Sequence, residues 1–205
     1  MTFPSSDNQS GLPTSGPGVP AGYQLAWHTL PEMNPLDLHA VYKLRVDVFV
    51  AEQSCPAAEI DAVDPLGSTG HLLARTTARG FGAPGEVVGT ARLFPSSMAE
   101  FRAEFAEATG TTIENLRGTA DDPTDGKEGF TWHIGRLVVH PDHRAGGLGS
   151  ALFAECIARA DRTRRAPILI TAQSHLKGYY GRFGFKVCGP EFDWDGVPHL
   201  PMRRP

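Results

Sequence analysis

An α/β fold, with a mixed central β-sheet flanked by helices on both faces, is what this 205-residue sequence predicts, and three observations carry the prediction. Short β-branched runs alternate with segments of helical periodicity, the order expected when helices cover a sheet. The run Ile134 to Val139 is mostly apolar, as in a central strand buried on both faces. It passes through Pro141-Asp142 into Arg144-x-x-Gly147-x-Gly149, after which Leu152, Phe153, Cys156 and Ile157 fall at helical spacing. Such a turn suits an anion. Glycines without Cβ let backbone come close to a ligand, and the first helical amides carry the positive end of the dipole.

Each element can be justified in order. Residues 1–21 are rich in Ser, Pro and Gly, cannot offset their ordering entropy by burial, and are expected to form a flexible tail before a single domain over 22–205. Tyr23, Leu25 and Trp27 alternate as in a strand. Asn34 is a suitable N-cap, with Pro35 in the first turn, for a helix whose apolar stripe is Leu36, Leu38, Val41, Leu44, Val48 and Phe49; Pro56 limits it. Thr69 to Ala78 and Glu86 to Phe94 read as two strands joined by a glycine- and proline-containing hairpin over 80–85. An excursion over 95–129 follows. Met98, Phe101 and Phe105 give a helix over Ser96 to Ala108, and the polar residues 118–129 read as a mobile surface loop. Next come a strand over 130–140, a helix over 147–163, a strand over 167–172, a helix over 175–183 and a strand over 185–190. Residues 197–204 are expected as an edge strand.

Composition narrows the function classes. A formal charge of −4 and a pI near 6.0 give no long-range attraction to nucleic acid, and Arg159, Arg162, Arg164 and Arg165 fit the cationic end of a helix. No apolar stretch reaches the roughly twenty residues that span a bilayer, and no signal-peptide pattern opens the chain. Three cysteines at unrelated spacings, Cys55, Cys156 and Cys188, match neither a disulfide framework nor a zinc site. A cytoplasmic protein without nucleic-acid or membrane partners is expected. The eight histidines show no metal-binding spacing, so no metal is expected. The glycine turn lacks the Lys-Ser or Lys-Thr of a P-loop and the G-x-G-x-x-G of a dinucleotide site, which argues against ATP and NAD.

Arg144-x-x-Gly147-x-Gly149 after an apolar strand resembles the acetyl-CoA loop of the GNAT superfamily of N-acetyltransferases. Tyr179-Tyr180-Gly181-Arg182-Phe183-Gly184-Phe185 resembles that superfamily's closing segment. Leu44-Arg45, then Val48-Phe49-Val50-Ala51-Glu52-Gln53-Ser54-Cys55-Pro56 with Glu59 and Asp61, resembles its ElaA-like branch. So do Ala172-Gln173-Ser174-His175-Leu176 and Asp195-Gly196-Val197-Pro198-His199. The resemblance spans most of residues 22–205.

It implies a GNAT-like domain that transfers an acetyl group from acetyl-CoA to a primary amine by direct attack on the thioester. Leu137, Val138 and Val139 would meet the pantetheine arm through their backbone. The amides of Ala145, Gly146, Gly147, Leu148, Gly149 and Ser150 would hold the pyrophosphate, Arg144 would add charge, and Gln173 would join the cofactor contacts. Tyr180 would be the general acid that protonates the departing thiolate. His133, four residues before Leu137, is the first choice of general base, with Glu52, His71, His175 and a water chain as alternatives. Glu52 and Asp61, with Glu59, Asp64 and His175, would face the acceptor and attract a cationic amine, and Arg45 would be the internal ion partner of those carboxylates. His199 is either an acceptor contact or an edge-strand residue. The acceptor itself, a small molecule or a peptide, and homodimer formation stay open. A non-catalytic acyl-CoA sensor or partner-docking module is the alternative from another class.

Overall fold

The computed structural model describes residues 18–54, 58–77, 85–194 and 196–205. The expected tail, most of the hairpin segment, Cys55, Pro56 and Asp195 fall largely or wholly outside these ranges. The described strands number eight and are mixed in direction. By its contacts the chain divides into two compact units, Met1–Phe94 with Arg136–Arg159 and Pro95–Gly135 with Ala160–Pro205.

In the first unit β1 (Tyr23–His28) pairs antiparallel with β2 (Gly70–Thr76), and β2 with β3 (Val87–Ser97, which runs on into the second unit). The far end of β4 (Phe130–Val139) neighbours β3, and the next residue, His140, donates its amide to the Val88 carbonyl at 2.8 Å. Helix α1 (Pro35–Arg45) begins where the sequence predicts, because the Asn34 side chain accepts the Asp37 amide at 2.9 Å. Its buried face is Val41 and Leu44, packed with Leu73, Val87 and Val138, whereas Leu36 is 79% exposed and outside the stripe. From Val46 to Glu52 the helix continues with π geometry, Gln53 donating to the Val48 carbonyl at 2.9 Å. Such wide turns often mark functional sites.

The second unit opens on α2 (Met98–Ala108). Its cap is Ser97, whose hydroxyl accepts the Glu100 amide and donates to the Glu100 carboxylate, closing the turn. Met98 and Phe101 pack on Leu169 of β5 (Ile168–Gln173). The first part of β4 runs parallel to β5, in register at Trp132↔Ile168 and His133↔Leu169. Residues 197–204, expected at an edge, form β8 (Val197–Arg204), which lies inside the strand array. It pairs with β5 on one side and with β6 (Lys186–Val187) and β7 (Phe192–Trp194) on the other. A hydrophobic strand with Pro198 and Pro201 reads as an edge, but those missing donors are tolerated because its partners are short.

The polar stretch expected to be mobile is instead a built turn. A short helix, α3 (Ile113–Leu116), precedes it. Asp122, Pro123 and Thr124 are buried beneath it. Asp122 accepts the amides of Gly118, Thr124 and Gly126 and pairs with Arg102 Nε at 3.1 Å. Arg102, 2% exposed, also donates to the Thr124 hydroxyl and the Lys127 carbonyl. Polarity had suggested solvent; it serves an internal ion pair. Helix α4 (Leu148–Thr163) buries Leu152, Phe153, Cys156 and Ala160 as expected. The expected helix over 175–183 is a 3₁₀ turn, Ser174–Leu176, followed by α5 (Lys177–Gly181).

Candidate active site

The glycine turn joins β4 to α4 through a 3₁₀ turn at Pro141–His143 and two residues with left-handed backbone, Ala145 (φ 66°) and Gly147 (φ 84°). These reversals turn the chain so that α4 starts at Leu148, its first bond running from the Ala151 amide to the Gly147 carbonyl at 3.0 Å. Amides ahead of that bond lack helical partners by geometry and suit an anion. A Cβ on Gly147 would meet only the Pro20 ring, at 4.0 Å, and one on Gly146 nothing within 4 Å. The turn is therefore an exposed cradle with room for a bulky anion. Leu148 is 1% exposed and roots the helix, and Val138 packs on Leu44 and Val48.

Arg144 reaches across this turn. Its Nε donates to the Val139 carbonyl at 3.0 Å, and its two terminal nitrogens form a fork with the Glu52 carboxylate at 2.6 and 2.8 Å. The Arg144 guanidinium pulls the Glu52 carboxyl below its ordinary value. Glu52, expected to face the acceptor, is thus an ion partner of the loop arginine. Neither of them is free for the amine.

The other carboxylates after the first helix also differ from expectation. Glu59, Asp61 and Asp64 meet Arg45, Arg92 and Arg136, three charges of each sign. Arg45 Nε lies 2.6 Å from Glu59 and its Nη1 2.9 Å from Asp64; Arg92 bridges Asp61 at 2.7 Å and Asp64 at 2.9 Å. Arg136, itself left-handed at φ 52°, holds Glu59 at 3.1 Å and Asp61 at 3.2 Å. Arg45 is the internal ion partner the sequence suggested, but a balanced network cannot attract a cationic amine as a bare acidic cluster would. Burial works to raise the Asp64 carboxyl, yet Arg45 and Arg92 outweigh it and hold it at about 2. Burial raises the Glu59 carboxyl above its ordinary value, and Asp61 is lowered because Arg92 prevails over its burial. His71, 1% exposed, has its Nε2 on the Asp64 carbonyl at 3.0 Å, and burial lowers it. It is a structural link in this network. Arg92 and Arg136 lie far from the acids in sequence, and only the strand register reveals them.

The second unit holds the remaining expected residues. Tyr180 is half-buried in α5, its ring edge-on to Tyr179 at 5.0 Å. Tyr179 in turn packs on Phe183 and beneath Arg182. Burial pushes the Tyr180 phenol well above its ordinary value, so it is protonated at neutral pH. His133 is 7% exposed on β4, edge-on to Phe101 at 5.7 Å with Nδ1 3.9 Å from the Glu104 carboxylate. That setting ties α2 to β4. Gln173 ends β5, opposite His199 on β8, and His175 is exposed on the turn that follows. His199, which the sequence leaves as an acceptor contact or an edge-strand residue, lies on a strand paired on both sides.

A strand that ends in a glycine cradle at the head of a long helix, within a mixed α/β strand array, defines the class as an acyltransferase-type fold. The chain belongs to the GNAT acetyltransferases: residues 44–154 match one acetyltransferase (GNAT) domain family and residues 115–204 another. A UPF0039 protein of Mycobacterium tuberculosis (strain ATCC 25618 / H37Rv) is 34% identical over 173 residues, 83% of this chain and 87% of that one. Protein ElaA of Escherichia coli (strain K12) is 27% identical over 174 residues, 84% and 90% of the two chains. Among solved structures, an acyl-CoA N-acyltransferase from Pseudomonas aeruginosa has a TM-score of 0.64 at 28% identity, over 89% of this chain and 99% of that one. The crystal structure of Escherichia coli ElaA, with the same TM-score at 24% identity and the same two coverages, shares the fold.

Proposed function

We propose that this protein is an acetyl-CoA-dependent N-acetyltransferase in which a primary amine attacks the thioester directly. The observation that carries the reading is the cradle at Arg144 to Ser150, where Ala145 and Gly147 adopt left-handed backbone ahead of α4 and leave open space in front of the turn. Acetyl-CoA supplies the activated acyl group. The amides from Ala145 to Ser150 hold its pyrophosphate and Arg144 adds positive charge, while the backbone of Leu137, Val138 and Val139 and the Gln173 side chain receive the rest of the cosubstrate.

Tyr180 protonates the leaving thiolate. A phenol kept protonated by burial has the proton to give. His175, exposed on the turn after β5, faces the acceptor, whereas Glu52 and Asp61 contribute through the ions they hold. Cys156 is fully buried in α4, and burial raises its thiol far above the range of a nucleophile, which favours direct attack over an acyl-cysteine route.

Calorimetry with acetyl-CoA, followed by thiol release across a set of primary amines, tests the reading. Micromolar binding with amine-dependent thiol release is expected. Binding without release for any amine would favour a sensor, and absence of binding would dismiss both.

A further inference from the structure

We propose that His199 is the general base of the transfer, taking the amine proton on Nε2; this deepens the N-acetyltransferase reading above and rests on it. The ring is placed by three contacts. Its Nδ1 lies 2.8 Å from the Val197 carbonyl, its centroid 5.8 Å from that of Trp194 and 6.2 Å from that of Phe192. A carbonyl oxygen can only accept, so Nδ1 must carry the hydrogen. The neutral ring therefore presents Nε2 as a lone pair, the form a base requires.

Its position suits the role. His199 stands opposite Gln173 at the C-terminal end of β5, and the chain runs from there through Ser174–Leu176 into the helix that carries Tyr180. β8 lies against that turn. Ligands of α/β sheets gather at the carboxyl ends of parallel strands. The Ser174 hydroxyl at the same place is buried with no hydrogen-bond partner among the described residues, a polar group left over where a bound acceptor could complete it. Charged groups around the ring are Asp193 on β7, which favours the cation, and His175 on the turn, which opposes it. Burial, with His175 on its side, prevails over Asp193 and the Val197 hydrogen bond and keeps the imidazole neutral at pH 7.

Three of the other bases proposed from the sequence are committed elsewhere, whereas His175 is exposed on the turn. His71 is bonded through Nε2, His133 is buried against Phe101, and Glu52 lies in the Arg144 fork. His199 is half-exposed. In the balanced step Nε2 takes one proton from the bound ammonium, and the neutral nitrogen then bonds to the thioester carbon and releases its second proton to solvent. The carbon–sulfur bond breaks, and sulfur takes the Tyr180 proton. Solvent then reprotonates Tyr180 and removes the proton from His199.

Two measurements on the full chain test this. Nitrogen-15 correlation spectra, assigned with His199→Gln, should show a neutral Nδ1–H imidazole at pH 7; an Nε2–H tautomer or an imidazolium would overturn the proposal. In thiol-release assays with acetyl-CoA, His199→Gln should lose about 10²- to 10⁴-fold in kcat/KM for the best alkyl amine, which is protonated at pH 7. For hydroxylamine, already neutral there, the loss should stay below about tenfold because no ammonium must first be deprotonated. An undiminished alkyl-amine rate, or equal losses for both, assigns His199 to structure and refutes the base. Absence of thiol release by the wild type with every amine would instead remove the N-acetyltransferase reading and the base with it.

Discussion

Replacing Asp64 by asparagine perturbs a fully buried carboxylate that meets two arginines. Its side chain is 0% exposed and lies within hydrogen-bond distance of Arg45 Nη1 (2.9 Å) and Nη2 (3.2 Å), Arg92 Nη1 (2.9 Å) and the Asp61 amide (3.2 Å). Asparagine keeps the shape but leaves three guanidiniums facing two carboxylates, a net buried positive charge. Breaking a buried pair from one side costs about 3–5 kcal/mol. For a chain of this size that corresponds to a fall in Tm of roughly 6–20 °C. The pH dependence gives a second, independent magnitude. The folded carboxyl is held at about 2, against an ordinary 3.8. That depression is worth about 2.4 kcal/mol. Because the folded value is the lower one, the contribution is complete above about pH 4–5 and is lost as the pH falls toward 2. Urea denaturation of wild type and Asp64→Asn between pH 7 and pH 2 reads both effects: a large gap at pH 7 that narrows in acid. A variant within about 1 kcal/mol of wild type at pH 7 would refute the reasoning, since no surface ion pair exceeds that value by much.

Four further outcomes are expected. Gly147→Val should abolish acetyl-CoA binding in calorimetry, because a branched side chain would fill the cradle and resist φ 84°, while costing only about 1–2 kcal/mol of stability in denaturant. Tyr180→Phe should lower kcat by about 10²-fold or more while leaving the acetyl-CoA Kd within threefold; equal effects on both would make it a packing residue. Glu52→Gln should leave Tm unmoved and tighten acetyl-CoA binding, because the exposed Arg144 fork loses a competing carboxylate; weaker binding would show that Glu52 positions the arginine. Arg102→Leu should cost about 3–5 kcal/mol and open the 118–129 turn to limited proteolysis, since Asp122 would be left buried without its cation.

Where local pattern and local physics coincide, the elements were legible. The Asn34 cap, the helical stripe of α4 and the strand-to-glycine passage at β4 each depend on residues a few positions apart, so spacing alone predicts them. The GNAT resemblance, carried by the same blocks, agrees with the family to which the chain belongs. The turn over 118–129 misled because polarity ordinarily means solvent. Arg102 lies sixteen or more residues before that turn, and nothing in the turn's own composition announces a buried cation beneath it.

The sequence by itself determined the kind of fold, the cradle and its helix, and the tyrosine that follows β5. Register decided the rest. Whether Glu59, Asp61 and Asp64 form an acidic acceptor site or a neutral network depends on Arg92 and Arg136 arriving from other strands. Whether Arg144 stands free on the turn or is paired with a carboxylate depends on where the π turn leaves Glu52. His199 reads as an edge residue until β8 is seen between β5 and β7, with Gln173 on one side and Phe192 on the other. Charge and tautomer are properties of neighbours, and chain order does not list neighbours across a sheet.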